Sequence, residues 1–374
     1  MTTNDTWTVK QALDWTCGYL ERKGDENPRL SAEWLIAEAC GLSRVELYMG
    51  LERPLSSEER CVLRDYVQRR GAGEPLQYIA GEAPFRYITV RVRPGVLIPR
   101  PETEVLVSEA LSCLPPARKR EAAWSAEAAE QEAAAVSAVK EALARFEREN
   151  ASLFTCEGDD EAQGAVSTAA GLRSAGSEAV VEGGCVTCGD AADASPEDSP
   201  EQPLLVADIC TGSGCVACAI ASERPDARVL AVDISSDAVA LARENVEQLG
   251  LCKRVAVLQG DLGAPVPERF MGKLDVVVSN PPYVPSSVLA DIPREVSAYE
   301  PTLALDGGAD GLDLVRRLLP WCARALKPGG HIAFELHEGH LDEAAKLASA
   351  AGFTGVRIVE DLAGRPRVLV ACKA

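Results

Sequence analysis

A chain of 374 residues that is 47% hydrophobic but only 5% aromatic has enough apolar mass for two domains, and no stretch of it reaches membrane-spanning length. Its formal net charge of −19, from 57 acidic and 38 basic groups, argues against broad docking on a nucleic-acid backbone, which needs clustered Lys and Arg. Thirteen scattered cysteines, often set in apolar runs, read as free thiols, and the N-terminus lacks a basic and apolar leader pattern, so a cytoplasmic protein is expected.

The first element in chain order is helical. Over 9–71 the pattern is that of short helices, and Ser43-Arg44-Val45-Glu46 and Ser56-Ser57-Glu58-Glu59 have the Ser-x-x-Glu form in which the two side chains cap backbone N–H groups at a helix start. A bundle of four or five helices is predicted within a first domain, 1–74. The period then changes. Phe85-Arg86-Tyr87-Ile88-Thr89-Val90-Arg91-Val92 alternates between turn signals at Gly81 and Pro94-Gly95, which predicts a β-hairpin in a linker over 75–96 that connects two domains. Residues 97–112 open the next domain and carry a helix through 105–111.

Residues 113–203 differ in character. With 18 acidic and 7 basic side chains this 91-residue segment has a net charge of −11, and it is treated as an insertion. Its Ala- and Glu-rich part, 118–150, favours a helix on propensity, and 151–203 has no sustained period and reads as disordered. Cys185-Val186-Thr187-Cys188 has metal or redox spacing, but no second pair accompanies it, and no metal is assigned. From 204 to 374 strands and helices alternate. Strands are predicted at 204–209, 228–233, 255–259, 274–279, 331–336, 356–359 and 367–371, with helices at 216–223, 236–249, 312–325 and 341–351. That alternation predicts a doubly wound, mainly parallel α/β sheet of the Rossmann-like class.

Chemistry-bearing residues collect at the ends of these strands. Asp208-Ile209-Cys210-Thr211-Gly212-Ser213-Gly214 ends the first strand, and small residues there let the backbone turn tightly against a ligand. The spacing is not Gly-x-Gly-x-x-Gly, which disfavours a nicotinamide oxidoreductase. With Asp233 placed to take both hydroxyls of a ribose, the turn fits the nucleoside of S-adenosylmethionine better. Asp261 and Leu262 end the third strand and suit the amino group and the face of an adenine. Asn280-Pro281-Pro282-Tyr283 ends the fourth. The Asn280 oxygen and a backbone carbonyl of the Pro-Pro turn can accept both hydrogens of a planar NH2, Tyr283 can stack on its plane, and the prolines add no competing N–H. Such a holder suits a base or an amide equally, so two targets stay open: an exocyclic amine of adenine or guanine in nucleic acid, or a protein amide. A third reading is a non-catalytic S-adenosylmethionine-binding regulator, for which Cys210 in the turn is the one hint.

Several stretches resemble the HemK (PrmC) family: Pro75-Leu76-Gln77-Tyr78-Ile79-Ala80-Gly81, Leu97-Ile98-Pro99-Arg100-Pro101-Glu102-Thr103-Glu104, Thr211-Gly212-Ser213-Gly214, Ser279-Asn280-Pro281-Pro282-Tyr283, Glu300-Pro301-Thr302-Leu303-Ala304-Leu305-Asp306-Gly307-Gly308 and Asp361-Leu362-Ala363-Gly364-Arg365. The resemblance covers nearly everything outside the insertion. It implies a class I S-adenosylmethionine-dependent methyltransferase with a seven-stranded, mainly parallel sheet behind a small helical-bundle domain. It also implies methylation of the side-chain amide nitrogen of the glutamine in the Gly-Gly-Gln motif of class 1 peptide chain release factors. The helical domain would recognise that protein substrate, and a monomer without metal, membrane or direct nucleic-acid contact is expected. By position the resemblance assigns Cys210, Thr211, Gly212, Ser213, Gly214, Asp233, Asp261, Leu262 and Asn280 to the cofactor, and Asn280, Pro281, Pro282 and Tyr283 to catalysis and substrate. Departures are Cys210 and His337, each at a usual Gly, His340 at a usual Gln, and the insertion. Both histidines are read as exposed loop imidazoles.

Overall fold

The computed structural model describes residues 7–116, 203–292 and 294–374. The expectations of a helix at 118–150 and of disorder after it, and the Cys185/Cys188 pair, lie outside the described residues.

Five short helices come first: α1 (Val9–Arg22), α2 (Pro28–Cys40), α3 (Arg44–Met49), α4 (Ser57–Gly71) and α5 (Leu76–Ala80). Both Ser-x-x-Glu stretches form reciprocal capping boxes, at the starts of α3 and α4, and Thr8 with Gln11 makes a third at α1. These helices close over their own core, in which Leu13, Leu20, Ile36 and Leu47 are fully buried. The hairpin follows as β1 (Glu82–Phe85) and β2 (Ile88–Arg91), antiparallel, with Arg86 at φ 51° in its turn. It is more than a connector. Phe85 and Val90 join the same core as Val206 and Val276 of the main sheet and the helical Leu106 and Val216.

One sheet holds β3 (Leu204–Ile209), β4 (Ala227–Asp233), β5 (Val255–Gln259), β6 (Leu274–Ser279), β7 (Leu326–Glu335), β8 (Phe353–Glu360) and β9 (Pro366–Lys373), in the order β5-β4-β3-β6-β7-β9-β8. The first five strands in that order are parallel, and β9 runs antiparallel between β7 and β8. Successive strand residues feed opposite faces. Val206, Val276 and Val278 pack with α6 (Thr103–Cys113) and α7 (Cys215–Glu223), near α8 (Ser236–Gln248). Ala207, Ile209 and Val277 face α10 (Asp313–Ala325) and α11 (Leu341–Ala350), and a single turn, α9 (Arg294–Ser297), precedes α10. Covered on both faces, β6 is buried at every position. The expected doubly wound sheet is therefore present, in the strand order of class I methyltransferases.

β7 begins at Leu326, ahead of the predicted 331. Gly330 lets the chain run close beside β6 there, where a Cβ would lie 2.9 Å from the Leu274 carbonyl oxygen.

Candidate active site

Register brings the strand ends level. Ile209 pairs with Val232 on one side and Ser279 on the other, and Asp233 pairs with Gln259. Strand order reverses about β3, so the residues just beyond these ends open on one crevice. It is a cavity of about 250 Å³ lined by Cys210, Gly212, Asp233, Asp261, Leu262, Asn280 and Pro282 among others. A smaller cavity of about 40 Å³ adjoins it, shares Leu97, Cys210, Gly212 and Asn280, and adds Thr103, Thr211 and Ser213. Gly214, Pro281 and Tyr283 line neither. A Cβ on Gly214 would meet Ala242 at 3.1 Å, Pro281 is buried, and the Tyr283 ring packs against the second core, where burial pushes its phenol up to about 12.

The glycine-rich turn is held from below by Asp208. Its Oδ2 accepts from the Thr211 hydroxyl at 2.5 Å and the Ala217 N–H at 3.1 Å, tying the turn to the first turn of α7. Burial pushes this carboxyl up to about 7 against those two hydrogen bonds. Cys210 sits at φ 63°, a left-handed conformation that explains why glycine suits this position, and burial beside Asp233 drives its thiol well above its ordinary value. Asp233 is fixed by two backbone donors, Gly212 N–H on Oδ2 and Ser235 N–H on Oδ1, each at 2.9 Å. Burial raises its carboxyl, and those N–H groups oppose the shift. Asn245, fully buried, accepts from Arg91 N–H and donates to the Arg91 and Ser213 carbonyls, so it clamps the hairpin onto the turn.

The Asn280 segment is held by other recognised stretches. Tyr78 donates to the Val96 carbonyl at 2.7 Å, and Arg100 pairs with the buried Glu300 at 2.6 Å. Val284 N–H donates to Leu305 O and Gly307 N–H returns to Val284 O, both at 2.8 Å, strapping the 305–308 loop along the Pro-Pro turn. Only glycine fits there. A Cβ on Gly307 would lie 2.7 Å from Tyr283 Cα, and one on Gly311 2.4 Å from the Tyr283 carbonyl oxygen. Asn280 Nδ2 donates to Thr103 Oγ1 at 3.2 Å, at the start of α6.

Sequence reasoning missed several residues. Thr103 and the buried Glu335 back Asn280, Ile234 and Leu303 add apolar lining, and Arg317 of α10 pairs with Asp261 at the cavity rim. Thr103 lay inside a recognised stretch, whereas Arg317 gave no signal, because an exposed helical arginine is unremarked until the fold brings an acid to it. His337 is exposed as expected, but His340 is only half-exposed, with Nδ1 buried beside Gly311 and without a hydrogen-bond partner among the described residues, and burial lowers its pKa.

The chain matches the PrmC N-terminal domain over residues 11–81 and the methyltransferase small domain over 199–292. It is 34% identical over 365 residues to the release factor glutamine methyltransferase of Geobacter sulfurreducens, covering 98% of this chain and 96% of that one. Proteins of the same name from Rhodopirellula baltica (33% over 377 residues, 100% and 99% coverage) and Moorella thermoacetica (34% over 365 residues, 97% and 98%) match equally well end to end. With a helical PrmC-type domain, a methyltransferase sheet and full-length similarity together, the chain belongs to the release factor glutamine methyltransferase family.

Proposed function

We propose that this enzyme methylates the side-chain amide nitrogen of the glutamine in the Gly-Gly-Gln motif of class 1 release factors, with S-adenosylmethionine as donor. Asn280 carries this reading: it lines both cavities with Cys210 and Gly212, so an amide held by its side chain is adjacent to any ligand of the glycine-rich turn. The donor set fits S-adenosylmethionine. Each Asp233 oxygen takes one backbone N–H and keeps lone-pair capacity for a ribose hydroxyl. Ile234, 52% exposed, and Leu262 offer apolar surface to a base, and Asp261 lies beside it. Three carboxylates, Asp233, Asp261 and Asp306, against Arg317 make a lining that favours a cation. Ser213 Oγ is buried, lines the smaller cavity and can serve the amino-acid end, next to Thr211 and Cys210.

Asn280 Oδ1 and the Pro281 carbonyl accept the two amide hydrogens, Pro282 borders the approach, and Tyr283 backs the amide plane. An amide nitrogen is a poor nucleophile, so the chain contributes alignment and two acceptors whose pull strengthens as the N–H bonds become more acidic in the transition state. Bound S-adenosylmethionine supplies a methyl group on an activated sulfonium leaving group. The surplus proton leaves late, to water. In this reading 1–74 grips the release factor, 75–96 links it to the catalytic domain of 97–112 and 204–374, and the enzyme works as a cytoplasmic monomer.

Labelled S-adenosylmethionine offered with release factor, tRNA, rRNA and DNA separately should label the release factor alone. Label on nucleic acid only would sink the proposal. Asn280→Ala should lower release-factor methylation by about 100-fold or more while calorimetry finds donor binding little changed.

A further inference from the structure

We propose that Thr103 and Glu335 are positioning residues that lock the Asn280 amide with its oxygen facing the cavity. Ser279 of β6 pairs with Phe334 of β7, so the next residues, Asn280 and Glu335, are neighbours at the two strand ends. Thr103 closes the cluster from the start of α6. Thr103 and Glu335 are 3% and 2% exposed, so water cannot substitute for either. Asn280 Nδ2 donates to Thr103 Oγ1 at 3.2 Å. The Glu335 carboxyl is pushed up to about 7, by burial first, against hydrogen bonds from Thr103 and Asn280, and its Oε2 has no hydrogen-bond partner among the described residues.

Direction follows from donor chemistry. An ionised carboxylate only accepts, so the Thr103 hydroxyl donates to Glu335, its oxygen is left to accept from Asn280, and both Asn280 N–H bonds are drawn to the protein side. A flipped amide would set its oxygen against the carboxylate in a site of low dielectric, a costly arrangement. Oδ1 is then the atom offered to the cavity, and an incoming NH2 needs an acceptor there. Protonated Glu335 can donate, the flipped amide becomes acceptable, and an NH2 would face the substrate NH2. The other charged or titratable groups facing Glu335 are Arg367 of β9, which favours its ionised form, Glu102 before α6, which opposes it, the Tyr283 phenol and the Cys215 thiol at the start of α7.

This inference rests on the amide-methylation reading, and wild-type labelling of release factor tests that reading separately. Single-turnover methylation by Thr103→Val, Thr103→Ser and Glu335→Gln is measured against pH, with S-adenosylmethionine binding by calorimetry and thermal unfolding in parallel. The wild-type rate should fall as pH drops through about 7, and Glu335→Gln should lack that limb. Thr103→Val should lose roughly tenfold in rate with donor affinity unchanged, and Thr103→Ser should restore it. Equal rates for Thr103→Val and Thr103→Ser would overturn the proposal, as would a Glu335→Gln profile with the wild-type limb, or a rate loss fully matched by lost donor binding. Should Glu335→Gln fail to fold, the valine and serine pair decides.

Discussion

At the scale of single residues, two buried acids, both pushed up to about 7, do different work. Asp208 braces the glycine-rich turn. It accepts from Thr211 and Ala217 to hold the turn, and its carboxyl rises from 3.8 to about 7 because burial outweighs those bonds. With the folded value above the unfolded one, the native state keeps a proton the unfolded chain has lost. The associated stability is fully present below about pH 3.8 and is lost as pH rises through about 7. Asp208→Asn should remove that slope, so its urea midpoint should gain on the wild type between pH 4 and 7 and then run parallel above about 7. Curves parallel throughout would contradict this account. Glu335 titrates over the same range but is unchanged in both proteins, so it drops out of the difference. The meeting of Asp233 and Asn280 at one crevice was legible in the sequence because both follow strands whose ends were read as converging. Glu335 was not, since a glutamate ending an apolar run gives no hint that it lies enclosed beside Asn280.

At the scale of elements, what holds the amide site is a set of loops strapped to one another. Tyr78 with Val96, Arg100 with Glu300, and the 305–308 strap on Val284 join loops drawn from 75–104 and 284–308. Gly307→Ala would force its Cβ into Tyr283 Cα and the Pro282 carbonyl oxygen at 2.7 and 2.8 Å. Backbone cannot yield as a flexible side chain can, so about 1–3 kcal/mol of stability should be lost, with a larger proportional loss of methylation than of donor binding. Thermal unfolding and calorimetry on one preparation check both. The strand 274–279 was readable to the residue because a buried parallel strand is a short apolar run between turn signals. The straps were invisible, because backbone hydrogen bonds between loops leave no side-chain pattern.

At the scale of the whole molecule, the doubly wound, mainly parallel sheet was predictable from alternation, whereas the burial of the hairpin in the sheet's core was not, since alternating residues say which face is apolar and not what covers it. The ends that flank 117–202 meet at one turn. Arg224 Nη1 donates to the Pro115 carbonyl at 2.9 Å, and Leu204 N–H donates to the Asp226 carbonyl at 3.1 Å, two residues further on. Replacing 117–202 by a short Gly/Ser linker should therefore leave unfolding cooperative and methylation within about threefold of the full chain, as a circular dichroism melt and the labelling assay would reveal. That junction lies at the N-terminal end of β3, and the cavities open at its other end, a strand's length or about 20 Å away. The scaffold thus has a loading port remote from its chemistry, where a reporter or an affinity domain can be spliced in to follow the working enzyme without touching the crevice.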